Sequence, residues 1–254
     1  MKTGIFICAR LGSTRLTRKH LIEADGVPFI LHLVRRVNRE FLSERQAGTV
    51  VVALISSDEP ENREFINVLN GEAEVFFGSI DNIPLRQAQA ARHFGAGAII
   101  AVDGDDPLVS VRGLRALYAR LAAGGIYAKT DGLPLGMNGS GYNLELLEKA
   151  LSGRQGDQLD TGWGHIFKGV VPEIVGFDVP CADERLRFTL DYEPDARFFL
   201  AIAAKLGARF DEATDSEIVD LVWRDRLFEL NAGLAEEYWA NFRRETNRQI
   251  PETD

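Results

Sequence analysis

Between residues 4 and 102, short unbroken apolar runs alternate with stretches of helical periodicity, and few folds accept that pattern. Gly4-Ile-Phe-Ile-Cys-Ala9, Thr49 to Ile55, Ala73 to Phe77 and Ala98 to Val102 are rich in strand formers. The first two read as strands buried on both sides, Ala73 to Phe77 as a third, shorter strand and Ala98 to Val102 as a fourth. Between them, three segments carry apolar residues at helical spacing. From Pro28 on, Ile30, Leu33, Val34, Val37 and Phe41 share one face, with Arg35, Arg36 and Arg39 off it. Pro28 suits a first helical turn. Pro60 to Leu69 has a stripe of Phe65, Ile66 and Leu69. Ile83 to Phe94 ends at Gly95. Strictly alternating strands and helices predict right-handed crossovers and an α/β fold, a mainly parallel central sheet with helices on both faces. Ligands of such sheets bind beyond the carboxyl ends of the strands. The loops after the first and fourth strands therefore carry the most functional weight.

Past the helix Val111 to Ala123 the pattern weakens. The glycine-rich stretch 124–141 reads as loops or a short insertion. Leu144 to Leu151 reads as a helix, Ile174 to Val179 and Leu186 to Leu190 as strands, and Pro194 to Leu206, Ser216 to Leu230 and Leu234 to Thr246 as helices. No run of about 18 apolar residues is present, so no membrane span is expected. Cys8 and Cys181 are too few for a disulfide framework and fit a reducing cytoplasm.

Charge is unevenly placed. The chain carries 29 basic and 38 acidic residues, a net of −9. Residues 1–45 hold nine basic against four acidic side chains, a net of +5, which leaves −14 for the remainder. An acidic chain is a poor general nucleic-acid binder, and a local basic head points to a small anionic ligand. Most of that head sits in Arg10-Leu-Gly-Ser-Thr-Arg-Leu-Thr-Arg-Lys19, directly after the first strand. Arginine forks match phosphate oxygens, lysine supplies a point charge, and Gly12 permits close backbone approach. The loop is neither a Walker loop nor a dinucleotide fingerprint. Facing it in the predicted topology is Asp103-Gly104-Asp105-Asp106-Pro107, at the end of the fourth strand. Three carboxylates within four residues repel unless a cation sits among them. Mg²⁺ takes one or two carboxylates and completes its shell with water and phosphate oxygens. Asp191, between a predicted strand and a predicted helix, reads on its own as a turn and N-cap.

Ala9-Arg10-Leu11-Gly12-Ser13-Thr14-Arg15-Leu16, followed by Lys19 and Leu21, resembles the signature loop of the cytidylyltransferases that activate sugars as CMP-sugars. These include the 3-deoxy-manno-octulosonate and acylneuraminate enzymes, with the spore-coat polysaccharide biosynthesis protein F type most similar. Three further blocks agree in order: Phe77-Gly-Ser-Ile-Asp81 with Arg86, Gly104-Asp-Asp-Pro-Leu108, and Leu186 to Asp195. The resemblance implies a Rossmann-like nucleotide-diphospho-sugar transferase fold. Its implied activity is a Mg²⁺-dependent transfer of CMP from CTP to an acidic sugar, with release of pyrophosphate. Catalytic roles are implied for Arg10, Arg15, Lys19 and Asp105. Nucleotide contacts are implied for Ala9, Arg10, Leu11, Gly12, Ser13, Arg15, Lys19, Ser79, Arg86 and Asp103, and Mg²⁺ ligation for Asp105 and Asp191. A homodimer is also implied, with Ile126 to Trp163 near its interface. A single domain over 1–210 is expected, followed by a C-terminal helical extension over 211–254.

The sequence departs from the family pattern in places. Thr17-Arg18 replaces the usual Pro-Gly, His20 replaces the proline after the lysine, and Thr161-Gly-Trp-Gly-His165 replaces Glu-His-Val-Thr. His165 is a sugar contact, a general base or, as a lone histidine more often is, structural. Two alternatives stay open on sequence: a glycosyltransferase using Asp103-Gly104-Asp105 with a nucleotide-sugar donor, and a non-catalytic nucleotide binder.

Overall fold

The computed structural model describes residues 1–13, 15–154, 156–160, 162–180, 183 and 185–234. In chain order its strands are β1 (Thr3–Cys8), β2 (Glu23–Ala24), β3 (Val27–Pro28), β4 (Val50–Ser57), β5 (Glu74–Gly78), β6 (Ala98–Asp103), β7 (Tyr127–Asp131), β8 (Ser140–Asn143) and β9 (Glu173–Gly176). The α-helices are α1 (Phe29–Glu40), α2 (Leu42–Gln46), α3 (Glu64–Leu69), α4 (Ile83–Phe94), α5 (Val111–Ala122), α6 (Leu144–Leu151), α7 (Glu193–Leu206) and α8 (Asp215–Arg224). Seven strands form one sheet in the order β5-β4-β1-β6-β8-β7-β9. β8 runs antiparallel to both neighbours, and every other pairing in that sheet is parallel. β2 and β3 form a separate two-stranded hairpin.

β1 lies at the centre, and its alternation shows why its run is unbroken. Ile5 and Ile7 point to the layer of α1, α3 and α5, while Phe6 points to the layer of α4 and α6. All three are fully buried, because a strand between two helical layers has no wet face. A third apolar cluster joins α7 and α8 to Phe29, Leu186, Phe188 and Leu190, so α8 packs into the same core as α7. Among the described residues no helix is long and apolar enough to cross a membrane.

The first hundred residues fold as the periodicity predicts, with local exceptions. Pro28 is not in the first turn of α1. It caps that helix in extended conformation and closes the β2–β3 hairpin. Arg36, expected off the buried face, is 1% exposed, and its guanidinium donates to the carbonyls of Val109 (3.0 Å) and Ala213 (2.8 Å). Ile66 is half exposed and leaves the buried stripe to Phe65 and Leu69. The glycine-rich stretch 124–141 holds β7 and the start of β8, both interior strands of the sheet. There Gly139 and Gly141 lie against Leu114, Leu117 and Leu121 of α5, where larger side chains would crowd. Leu186 to Leu190 is not a sheet strand. It runs extended across two loops, with Phe188 N–H donating to the Leu135 carbonyl (2.8 Å) and Leu190 N–H to that of Asp105 (2.7 Å). The helix predicted from Leu234 to Thr246 lies, after its first residue, outside the described residues.

Candidate functional site

A cleft of about 460 Å³ opens beyond the carboxyl ends of β1 and β6. Its walls include Ala9, Arg10, Gly12, Ser13, Arg15 and Lys19 from the basic loop, Asp103, Asp105 and Asp106 after β6, Asp191 from the late block, and Arg86 of α4. Two segments far apart in sequence, the basic loop and the late acidic block, thus meet in one place.

Buried side chains hold the basic loop at its root. Ser56 donates to the Ala9 carbonyl (2.7 Å), and the Asn62 amide oxygen takes the Leu11 N–H (2.8 Å). Leu11 itself is buried in the core, so this expected nucleotide contact is not on the cleft wall. Farther along, Arg18 adopts φ +54°, the left-handed conformation that glycine takes without penalty. This is the position where the pattern noted in the sequence carries glycine, the residue that takes this conformation at least cost. The 3₁₀ turn Lys19–Leu21 follows and aims Lys19 into the cleft.

Lys19 sits between the two carboxylates that matter most. Its Nζ lies 2.5 Å from Asp105 Oδ2 and 2.8 Å from Asp191 Oδ1. Burial works to lower the Lys19 pKa, but both carboxylates together outweigh it and hold the pKa above its ordinary value. Burial likewise tends to raise the Asp191 pKa. Lys19 and Arg15, the latter 2.8 Å from Oδ1, reverse this and hold the carboxyl well below the usual range. Arg187 closes on the other oxygen, Oδ2, at 2.9 Å. Asp191 is therefore not the N-cap of α7. That place belongs to Tyr192, and Asp195 takes the N–H groups of Asp191 and Tyr192 at 3.0 Å each.

The three carboxylates after β6 are not equivalent. Asp106 is buried, and burial with repulsion from Asp105 and Asp103 raises its pKa well above the usual range. Asp103 lines the cleft, where its recessed setting and then the Asp105 charge raise its carboxyl above the usual range. Gly104 lets the turn pass, since a Cβ there would lie 2.8 Å from the Cys8 carbonyl oxygen. His20 is buried with Nδ1 3.1 Å from the Gly104 carbonyl oxygen, and burial with the Lys19 charge lowers its pKa to about 4. Cys8 borders the cleft as a free thiol pushed up to about 12 by burial and Asp103, the opposite of an activated thiolate.

Arg10 lies across the cleft mouth, 2.9 Å from Asp160. Arg86 is buried and donates to the carbonyls of Ser79 and Ile80 (both 2.8 Å), so it shapes the loop after β5 as well as the cleft wall. Ser79 is not on the wall. Its N–H is taken by Gln89, and its carbonyl by Arg86. His165 is exposed and away from the cleft, where Trp163 lines the wall instead. Sequence reasoning missed Asn62, Arg187, Asp160 and Trp163. Of these only Arg187, inside the late block, had a local signal.

No group of three or more His, Cys, Asp and Glu is placed to hold a metal unaided among the described residues. Two carboxylates do converge on one cationic position, that of the Lys19 ammonium. This donor set suits a hard ion that takes one or two carboxylates and draws its other ligands from water and phosphate.

The sequence profile of the cytidylyltransferase family matches residues 5–164, well over half of the chain. Among characterised proteins, the chain is 36% identical over 110 residues to the 3-deoxy-manno-octulosonate cytidylyltransferase of Pelodictyon phaeoclathratiforme, covering 43% of this chain and 42% of that one. It is 29% identical over 109 residues to the same enzyme of Geobacter metallireducens, covering 43% and 40%. The chain thus spans about two fifths of the length of these relatives. Among solved structures, a cytidylyltransferase from Leptospira borgpetersenii superposes with a TM-score of 0.78 at 19% identity, over 91% of this chain and 98% of that one. A CMP:2-keto-3-deoxy-manno-octonic acid synthetase complexed with CTP superposes at 0.56 with 16% identity, over 81% and 99%. At such identities the superpositions establish the shared α/β nucleotidyltransferase fold, and the profile match establishes the family: the chain belongs to the cytidylyltransferases.

Proposed function

We propose that the chain transfers CMP from CTP to a sugar hydroxyl, with release of pyrophosphate and a requirement for Mg²⁺. The observation that carries this reading is the meeting of Arg10, Arg15 and Lys19 with Asp105 and Asp191 in one cleft beyond the sheet. Cations in that number suit a triphosphate better than the diphosphate of a nucleotide-sugar, which favours a cytidylyltransferase over a glycosyltransferase. The names of the relatives support CTP as donor and an acidic sugar as acceptor.

In this mechanism Arg10, Arg15 and Lys19 exchange their carboxylate partners for phosphate oxygens, and Gly12 and Ser13 line the backbone path beside them. Arg86 and Ala9 border the nucleoside end. Asp105 and Asp191 would hold Mg²⁺, which when bound neutralises and orients the α-phosphate. As the acceptor oxygen displaces pyrophosphate at the α-phosphorus, Lys19 and the arginines stabilise the charge that builds on the leaving group. Positioning and charge suffice for this displacement, and the high pKa of Cys8 argues against a thiolate nucleophile.

The same reading makes the protein a homodimer. Exposed Ile126, Val171 and Ile174 beside the edge strand β9 support that surface as the interface. The activity is tested by incubating the protein with each nucleoside triphosphate, Mg²⁺ and a panel of sugar acids. Pyrophosphate release with CTP and one sugar is expected. Release of a nucleoside diphosphate from a nucleotide-sugar instead would favour the glycosyltransferase.

A further inference from the structure

The segment after residue 210 lies outside the stretch that matches the family profile, yet it reaches the side chains that support Asp191. After α8, the 3₁₀ turn Leu227–Leu230 delivers Asn231 beneath the Asp191 block. Asn231 is 2% exposed, and its Nδ2 donates to Asp195 Oδ1 (2.9 Å) and to the Arg187 carbonyl (3.1 Å). Its own Oδ1 is buried without a partner among the described residues. The two acceptors therefore fix the amide's orientation, since a reversed amide would set oxygen against oxygen.

Asp195 is fully buried and is the hub of this network. Besides Asn231 and two backbone N–H groups, it takes Arg187 Nε (3.2 Å) and Nη2 (3.3 Å). Arg187 Nη2 in turn holds Asp191 Oδ2 (2.9 Å), which leaves Oδ1 for the cleft. Arg187 is thus shared between two carboxylates. The Asn231 donor satisfies part of Asp195 and leaves more of the guanidinium to Asp191. We propose that Asn231 is a positioning residue, fixing the Asp191 carboxylate from behind through Arg187 and Asp195. The inference rests on Asp191 being a cation ligand, as in the functional reading above. The start of the extension is anchored independently: Ser110 donates to Asp215 (2.6 Å), and Arg36 to the Ala213 carbonyl. Losing the Asn231 contact therefore does not release α8.

The test is Mn²⁺ affinity, read by electron paramagnetic resonance with saturating CTP and no sugar. It compares the wild-type chain with Asn231→Ala, Asn231→Asp and Val222→Ala. Asn231→Asp keeps the side chain's shape and replaces the donor with an acceptor facing Asp195. Val222→Ala truncates a fully buried side chain in the same cluster without touching the network. Outer-shell partners of metal ligands are worth roughly 10- to 100-fold in affinity. Asn231→Ala should weaken Mn²⁺ about 10-fold, Asn231→Asp should weaken it further, and Val222→Ala should lower thermal stability while holding Mn²⁺ affinity within about twofold of wild type. If wild type binds Mn²⁺ and the folded Asn231 variants bind it equally, or if Val222→Ala weakens it as much, the positioning role is overturned and the functional reading stands. If wild type binds no Mn²⁺ with CTP, the functional reading falls and takes this inference with it.

Discussion

Two residues beside the proposed phosphate loop show how departures from a family pattern are absorbed. Arg18 keeps a left-handed turn that costs a side-chain-bearing residue roughly 1–2 kcal/mol. Arg18→Gly removes that strain and returns part of the gain as extra freedom of the unfolded chain. A rise in Tm of about 2 °C is expected by calorimetry, and an unchanged or lower Tm would contradict the account. His20 is neutral in the fold, with a pKa of about 4 against 6.5 when free. Because its folded pKa is depressed, the unfolded chain binds the proton more readily between those values, and stability falls as pH drops through that window. From pH 7 to pH 5 this residue alone removes about 2 kcal/mol. Urea unfolding at both pH values should show that loss in the wild type, and His20→Gln should be correspondingly flatter. At the carboxylates, Asp105→Asn should lower turnover by more than ~100-fold, judged against the effect of outer-shell partners, with Tm nearly unchanged. Retained turnover would remove Asp105 from the site.

The sheet strands of the first hundred residues and the longer helices between them were legible from continuous apolar runs and helical spacing, whereas the short β2–β3 hairpin and α2 carry no such signature. Ile83 to Phe94 was readable to the residue, with Asn82 as N-cap and Gly95 in left-handed conformation at its end. β8 was hidden because packing against α5 calls for glycine at 139 and 141, and glycine-rich stretches look like loops. Leu186 to Leu190 has the alternation of a strand, with Leu186, Phe188 and Leu190 buried in one cluster, but its partners are loops that no periodicity announces. Site legibility followed the same division. The basic loop and the β6 aspartates stood out as local charge clusters, whereas the pairing of Lys19 with Asp191 spans 172 residues and exists only in the fold. Gly136 shows how tightly the late segment is seated: it has φ +85°, and a Cβ there would lie 2.3 Å from the Phe188 carbonyl oxygen. Gly136→Ala should therefore cost more than ~2 kcal/mol by chemical denaturation. A loss below that would mean the 186–190 segment yields easily.

At the scale of the molecule, the charge asymmetry of the sequence becomes an arrangement. Much of the +5 head gathers in the loop that lines the cleft, and a small part of the acidic remainder meets it there in direct ion pairs. Segments after residue 185 supply Asp191 and its supports, so the cleft is completed only when the late chain packs back on the sheet. The exposed apolar side chains by β9 predict a dimer, which light scattering should read as about twice the chain mass. Ile174→Lys with Val171→Asp should halve that mass, and a wild-type monomer would refute the proposed interface. The proposed role of this cleft, binding a triphosphate and transferring its nucleotide, is read out by pyrophosphate release with each nucleoside triphosphate, Mg²⁺ and a panel of sugar acids. Release with CTP and an acidic sugar is expected, lost in Asp105→Asn. No release with any pair, from protein shown to be folded, would contradict it.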